Sequence, residues 1–154
     1  MNKNLVTELK NSFDEIVNID IGESLEYWFA RDLMGKLGYD RWENFRKVVI
    51  KGRTSCEVSG GVVIDHFRDI TKKVTLGSGA VRDIEDVVLT RYACYLIAQN
   101  GDSRKEEIAF AQTYFAVQTR KQELIEERIL LDERLAAREK LIQSNTLPKK
   151  NGDK

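Results

Sequence analysis

The chain has 154 residues, 42% of them apolar, with 25 Lys plus Arg balanced by 25 Asp plus Glu. That length predicts one compact domain able to bury most of the surface its unfolded form exposes, and it leaves no room for a second full domain. Whole-chain neutrality excludes any general argument for a polyanionic partner, so such an argument has to be local.

The opening MNKNLVTELKNSF lacks the apolar stretch and small-residue site of a secretory signal, and no later apolar run approaches a membrane-spanning length. The expectation is a cytoplasmic protein without membrane contact. Leu5, Leu9, Phe13 and Ile16 are spaced four, four and three apart, which places them on one face of a leading helix. IVNIDIGESLEYWF then reads as a small β-hairpin, with β-branched residues on either side of an Asp-Ile-Gly-Glu turn.

From Ala30 the period becomes helical: Ala30, Leu33, Met34 and Leu37 share a face, and the helix is expected to stop near Lys36 or Leu37, where Gly38 can take the left-handed conformation. Asp40, with Glu43 three residues on, is in position to cap a second helix reciprocally. Gly38-Tyr39-Asp40 is then a tight corner. On the second helix Trp42, Phe45 and Val49 project to one side and Asn44, Lys47 and Lys51 to the other, with Gly52 read as the stop.

The middle, GGVVIDHFRDITKKVTLGSGAVRDIEDVVL, predicts strands or irregular segments around a hairpin or two. Thr90 caps a helix with Ala93, Leu96 and Ile97 inward, ending at Asn100-Gly101. Ser103 with Glu106 forms a second capping box, after which a helix of some 40 residues, about 60 Å, is expected. Ile108, Ala111 and Phe115 pack its first half on the core. Leu124, Leu131, Leu135 and Ile142 form a seam on its charged second half, interrupted by Arg128 and Arg138 and suited to self-association. The tail NTLPKKNGDK is expected to be disordered.

The local departure from neutrality lies between Arg31 and Arg53, with seven cations and three anions. A helix, a corner and a basic second helix fit a helix-turn-helix-like arrangement, whose candidate DNA-binding residues are Arg31, Lys36, Arg41, Asn44, Lys47, Lys51 and Arg53. A merely solvated lysine-rich face gives the same pattern, and the sequence leaves both open. Gly77, Ser78, Gly79 and Arg82 are a second candidate, a nest for a phosphate or partner, against the better-supported reading of an ordinary turn. His66 beside Asp65 has no second ligand at metal-binding spacing and reads as structural. Cys56 and Cys94 lack CxxC spacing and read as two free thiols. No nucleophile elbow, triad, metal cluster or Walker loop can be assembled, so neither enzyme activity nor a cofactor is expected.

Two long strings carry a resemblance. EYWFARDLMGKLGYDRWENFRKVV resembles the opening of a BRO-N-type domain, and the continuation, with RDIEDVVLTRYACYLIAQNGD and AQTYFAVQTRKQE, resembles the family of the bacterial DNA-damage-inducible protein D; together they cover about residues 13–123. The resemblance implies an SOS-response binding protein that associates with DNA or with the RecA filament, or, as in phage and viral BRO-N relatives, an antirepressor acting through protein contact. It implies no enzyme activity. The expected organisation is a BRO-N-like domain over residues 1–123, an extended charged helix over 124–143 and the disordered tail over 144–154. The fold expected is α+β and mainly helical, with a helix-turn-helix-like corner, a small β-hairpin region and the long C-terminal helix.

Overall fold

The computed structural model describes residues 3–146. The chain divides into two compact units between Phe115 and Ala116, earlier than the boundary expected at residue 123. In order the elements are α1 (Lys3–Ile16), β1 (Asn18–Asp20), β2 (Leu25–Phe29), α2 (Ala30–Lys36), α3 (Trp42–Val58), α4 (Val63–His66), β3 (Phe67–Thr75), β4 (Val81–Leu89), α5 (Arg91–Asn100) and α6 (Glu106–Thr146). This is the expected α+β, mainly helical fold. The tail's first three residues, 144–146, are helical rather than disordered, and residues 147–154 lie outside those described.

Both hairpins join one antiparallel sheet of order β1-β2-β4-β3. In the first, Asn18 faces Tyr27 and Asp20 faces Leu25, and Asp20 Oδ1 accepts the Gly22 N–H at 2.9 Å to close the turn. In the second, nine residues of β3 pair with nine of β4, from Phe67↔Leu89 to Thr75↔Val81, which is longer than the short strands expected there. β2 joins the two through Trp28↔Leu89 and Phe29↔Val88.

The core lies between this sheet and the helices. It is centred on Trp28, Leu33, Phe45, Leu89, Ile97 and Ile108, each less than 2% exposed. A side chain of this kind contributes about 1.5–3 kcal/mol on burial. Trp28 keeps its indole N–H satisfied by donating to the Phe13 carbonyl at 3.2 Å, which ties the end of α1 to β2. Phe13 and Ile16 pack inward as their spacing requires, while the side chains of Leu5 and Leu9 lie outside those described. Ile108, Ala111, Tyr114 and Phe115 bring the start of α6 into the core.

Gly52 corrects the sequence reading. It does not stop α3, which runs six residues further to Val58. Instead Gly52 is buried where α3 meets α5 and β3, and a Cβ there would meet Ile97 Cγ1 at 3.2 Å and Phe67 Cζ at 3.4 Å. The stop is at Ser59-Gly60-Gly61, where the Gly61 N–H returns to the Cys56 carbonyl at 2.8 Å and Gly60 takes φ 90°. Both expected capping boxes are also absent. Arg41, not Asp40, occupies the N-cap of α3 and makes no side-chain cap, and the Ser103 hydroxyl turns to Gln112 Oε1 at 3.3 Å. Only Thr90 caps as expected, accepting the Ala93 N–H at 3.2 Å. His66 Nδ1 lies 2.8 Å from the same hydroxyl, with its ring against Tyr92, so the histidine is structural. Cys56 and Cys94 are buried free thiols, as read from their spacing.

The second unit, from Ala116, is helical through Thr146. Leu124, Leu131, Leu135 and Ile142 are each about half exposed along it, at 47–53%. Arg128, on the same seam, turns to Asp132 at 3.2 Å. Among the described residues no helix is long and apolar enough to cross a membrane.

Packing at Gly52 has a measurable cost attached. Gly52→Leu is expected to lower unfolding free energy by about 3 kcal/mol through overpacking, despite leucine's better helix propensity. Urea denaturation of the two proteins would show it as a lower midpoint. An unchanged midpoint would mean that α3 and α5 are not in close contact there.

Candidate nucleic-acid interface

The corner joining α2 to α3 is as the sequence predicts, and it is held from outside. Leu37 N–H returns to Leu33 and Met34, Tyr39 N–H to Met34 at 3.0 Å, and Gly38 takes φ 79°. Tyr39 is buried, and its hydroxyl accepts the Asp102 N–H at 3.2 Å from the connection between α5 and α6. Lys105 Nζ donates to the Gly38 carbonyl at 3.1 Å. Two contacts from residues more than sixty positions away therefore fix the angle at which α3 leaves the corner.

At the other end, α2 is anchored by a buried carboxylate that sequence reasoning missed. Asp86 on β4 is 1% exposed, and its Oδ1 accepts the Arg31 N–H at 3.0 Å and the Val87 N–H at 2.8 Å. Its Oδ2 lies 2.8 Å from Lys72 Nζ. Phe29, the N-cap of α2, offers no side-chain acceptor, so Asp86 supplies from the sheet what a capping residue would supply locally. The available signal was an acid set directly against the apolar run VVL in IEDVVL, where Glu85 and Asp86 stand side by side and only Asp86 is buried.

The structure separates the basic island into two groups. Arg31 donates through Nε to the Glu85 carbonyl at 2.7 Å and stacks over Trp42, 4.3 Å from the ring centre. Lys36 pairs with Glu15 at 2.7 Å, Arg46 with Glu85 at 2.9 Å, and Arg53 grips Asp69 through both terminal nitrogens. These four tie elements together. Arg41, Asn44, Lys47 and Lys51 are exposed, with no ion pair recorded among the described residues. Asn44, Lys47 and Lys51 fall within about 60° of one another at 100° per residue, on a flank of α3 away from the Arg46–Arg53 flank.

The Gly77-Ser78-Gly79 segment is the turn of the β3–β4 hairpin. Leu76 N–H donates to the Ala80 carbonyl at 2.7 Å and Gly79 N–H to the Leu76 carbonyl at 2.9 Å, so these amides close the turn. Arg82 follows on β4, opposite Val74. The strand residues nearest this tip that share a cleft with α3 are Thr71 and Glu85, and Gly77 lies six residues past Thr71, about 20 Å along an extended strand. The two candidate sites are thus separate surfaces.

That cleft, about 380 Å³, lies between α3 and the β3–β4 hairpin, with Val49, Ile50, Ile70 and Val87 between the Arg46–Glu85 and Arg53–Asp69 pairs. Trp42 Nε1 donates to Glu85 Oε1 at 2.7 Å at one end. At the other, the hydrogen bond from Arg53 holds the Asp69 carboxyl below its usual range, against a smaller opposing effect of burial. A depressed carboxyl contributes stability above its unfolded pKa and loses it as pH falls through the folded value. The stability difference between the wild type and Asp69→Asn is therefore expected to be flat from pH 7 to 5 and to shrink below about pH 4, and never to exceed about 1 kcal/mol because the pair is exposed. A difference that grew on acidification would contradict this.

Over 122 residues the chain is 45% identical to the DNA damage-inducible protein D of Escherichia coli K12, a match covering 79% of this chain and 44% of that protein. The chain thus spans less than half the length of that relative. No solved structure matches it. Residues 16–116, from the end of α1 through the start of α6, match the family described as BRO family, N-terminal domain, and the chain belongs to that family.

Proposed function

We propose that this chain is a DNA-damage-response regulator that binds nucleic acid, without enzyme activity of its own. It holds the phosphate backbone through Arg41, Asn44, Lys47 and Lys51. The observation that carries the reading is the division of the basic island: its other cations are engaged by acceptors on neighbouring elements, while these side chains remain exposed together beside a rigidly held corner. The damage-inducible relative supports the damage-response setting. DNA covered by the RecA filament, the partner implied by the resemblance, is the substrate proposed for that setting. The exposed seam of Leu124, Leu131, Leu135 and Ile142 is proposed as a self-association surface of the second unit.

The alternative is an antirepressor acting through protein contact. It is favoured by the aliphatic side chains of the first hairpin, Ile19, Ile21 and Leu25, which are 64%, 91% and 56% exposed.

Phosphate contacts release counterions, so affinity should fall steeply with salt. Lys47→Glu with Lys51→Glu is expected to weaken binding to single- or double-stranded DNA by about tenfold or more at low salt, and to reduce the slope of log K against log salt by about two. Fluorescence anisotropy across a salt series measures both. Unchanged affinity and slope would remove this surface from the function, and repressor capture by a protein that leaves DNA and RecA strand exchange untouched would favour the alternative.

A further inference from the structure

We propose that the β3 edge pairs with the same edge of a second copy, in an antiparallel register centred on Thr71. β3 is a terminal strand of the sheet, and among the described residues no strand pairs with its outer side over nine residues. An unpaired edge of that length is a ready template for another strand unless charges guard it. Lys72, one of two adjacent lysines on β3, does not serve as a guard: it turns to Asp86 at 2.8 Å and lies over Phe29, 3.4 Å from the ring centre.

The side chains of the edge select both the partner and the register. Alternation puts Asp69, Thr71 and Lys73 on one face, and Asp69 and Thr71 both line the cleft beneath α3. Two-fold pairing of edges keeps the same face of both copies on one side, so the register must be centred on a residue. Centred on Thr71, each Asp69 faces Lys73 of the second copy, Arg68 faces Val74, and no like charges oppose. A centre at Ile70 sets Arg68 against Lys72, one at Lys72 or Lys73 sets lysine against lysine, and one at Asp69 sets carboxylate against carboxylate.

Asp69 and Lys73 are 73% and 76% exposed at their side chains, so both are available. Each already has a partner behind it, Arg53 for Asp69 and Asp83 for Lys73 at 3.3 Å. Pairing therefore extends an alternating row, Arg53, Asp69, then Lys73 and Asp83 of the second copy, in which every charge neighbours its opposite. Directly opposed charges of this kind stabilise a strand pair, and like charges destabilise it. The two-fold axis runs perpendicular to the sheet, so both α3 helices stand on the same face of a sheet continuous through the two copies. The inference does not depend on DNA binding.

Charge exchange in the full-length chain tests it. Asp69→Lys alone and Lys73→Glu alone each bring like charges together and are expected to weaken self-association about tenfold or more, whereas an equimolar mixture restores it because each variant complements the other. Sedimentation of the three samples reads this, with circular dichroism confirming that each variant is folded. Thr71→Cys places two cysteines across the axis with Cα atoms about 4.5–5.5 Å apart, within disulfide reach. Lys73→Cys leaves them four residues out of step, about 13 Å. Mild oxidation should therefore give a covalent dimer for Thr71→Cys and not for Lys73→Cys. Failure of the mixture to recover association, or equal cross-linking at both positions, overturns the proposal, and so does a dimer indifferent to both charge changes, which would place self-association on the second unit.

Discussion

The start of the candidate interface is anchored to the sheet by one buried carboxylate. Asp86 accepts from the second amide of α2, that of Arg31, and from the Val87 amide of its own strand, and it pairs with the Lys72 ammonium. It thereby fixes where α2 begins relative to the sheet. Arg31, whose amide it holds, lays its guanidinium over Trp42 and donates to the Glu85 carbonyl, so the start of α3 is registered to the same strand. From there Arg46 and Arg53 reach the sheet on one flank of α3, which leaves Asn44, Lys47 and Lys51 on another. A carboxylate with no side-chain exposure is tolerated because two amides bond one of its oxygens and the Lys72 ammonium lies beside the other, and losing that ammonium would leave desolvated charge behind.

Much of this was legible locally. The stop at Lys36, the corner, the Thr90 cap, both hairpins and the long final helix follow from periodicity and turn chemistry, which act over a few residues. What was missed depends on distance in the chain. Gly52 looks like a helix stop until Ile97 and Phe67, forty-five and fifteen residues away, are seen to need its missing side chain. Asp40 and Ser103 stand at good capping positions, yet the corner is set by Tyr39 bonding to Asp102, and Ser103 is drawn to Gln112. Sequence counting found the basic island but could not tell which cations were free, since Glu15, Asp69 and Glu85 lie outside it.

The electrostatic pattern gives whole-chain neutrality a different meaning. Ion pairs between elements take up acids and bases together, and they link α1 to α2, α3 to β3 and β4, and α5 to β2. Surface pairs of this sort add little stability individually. Their effect on the charge pattern of the surface is larger, because pairing part of the basic island leaves the unpaired remainder concentrated on a single edge. A neutral protein then presents a local field whose reach in physiological salt is only about 8 Å, suited to contact rather than long-range steering.

The two buried thiols make the native chain chemically silent. Cys56 and Cys94 are 0% and 1% exposed, so neither sulfur is open to an alkylating reagent, and burial also pushes the Cys94 thiol far above its ordinary range. Both side chains sit in helices whose packing defines the first unit. Labelling therefore has to wait for that packing to open, and the rate at which each sulfur reacts becomes a clock for local or global opening of α3 and α5 separately. The molecule carries its own pair of stability reporters, already positioned in adjoining elements.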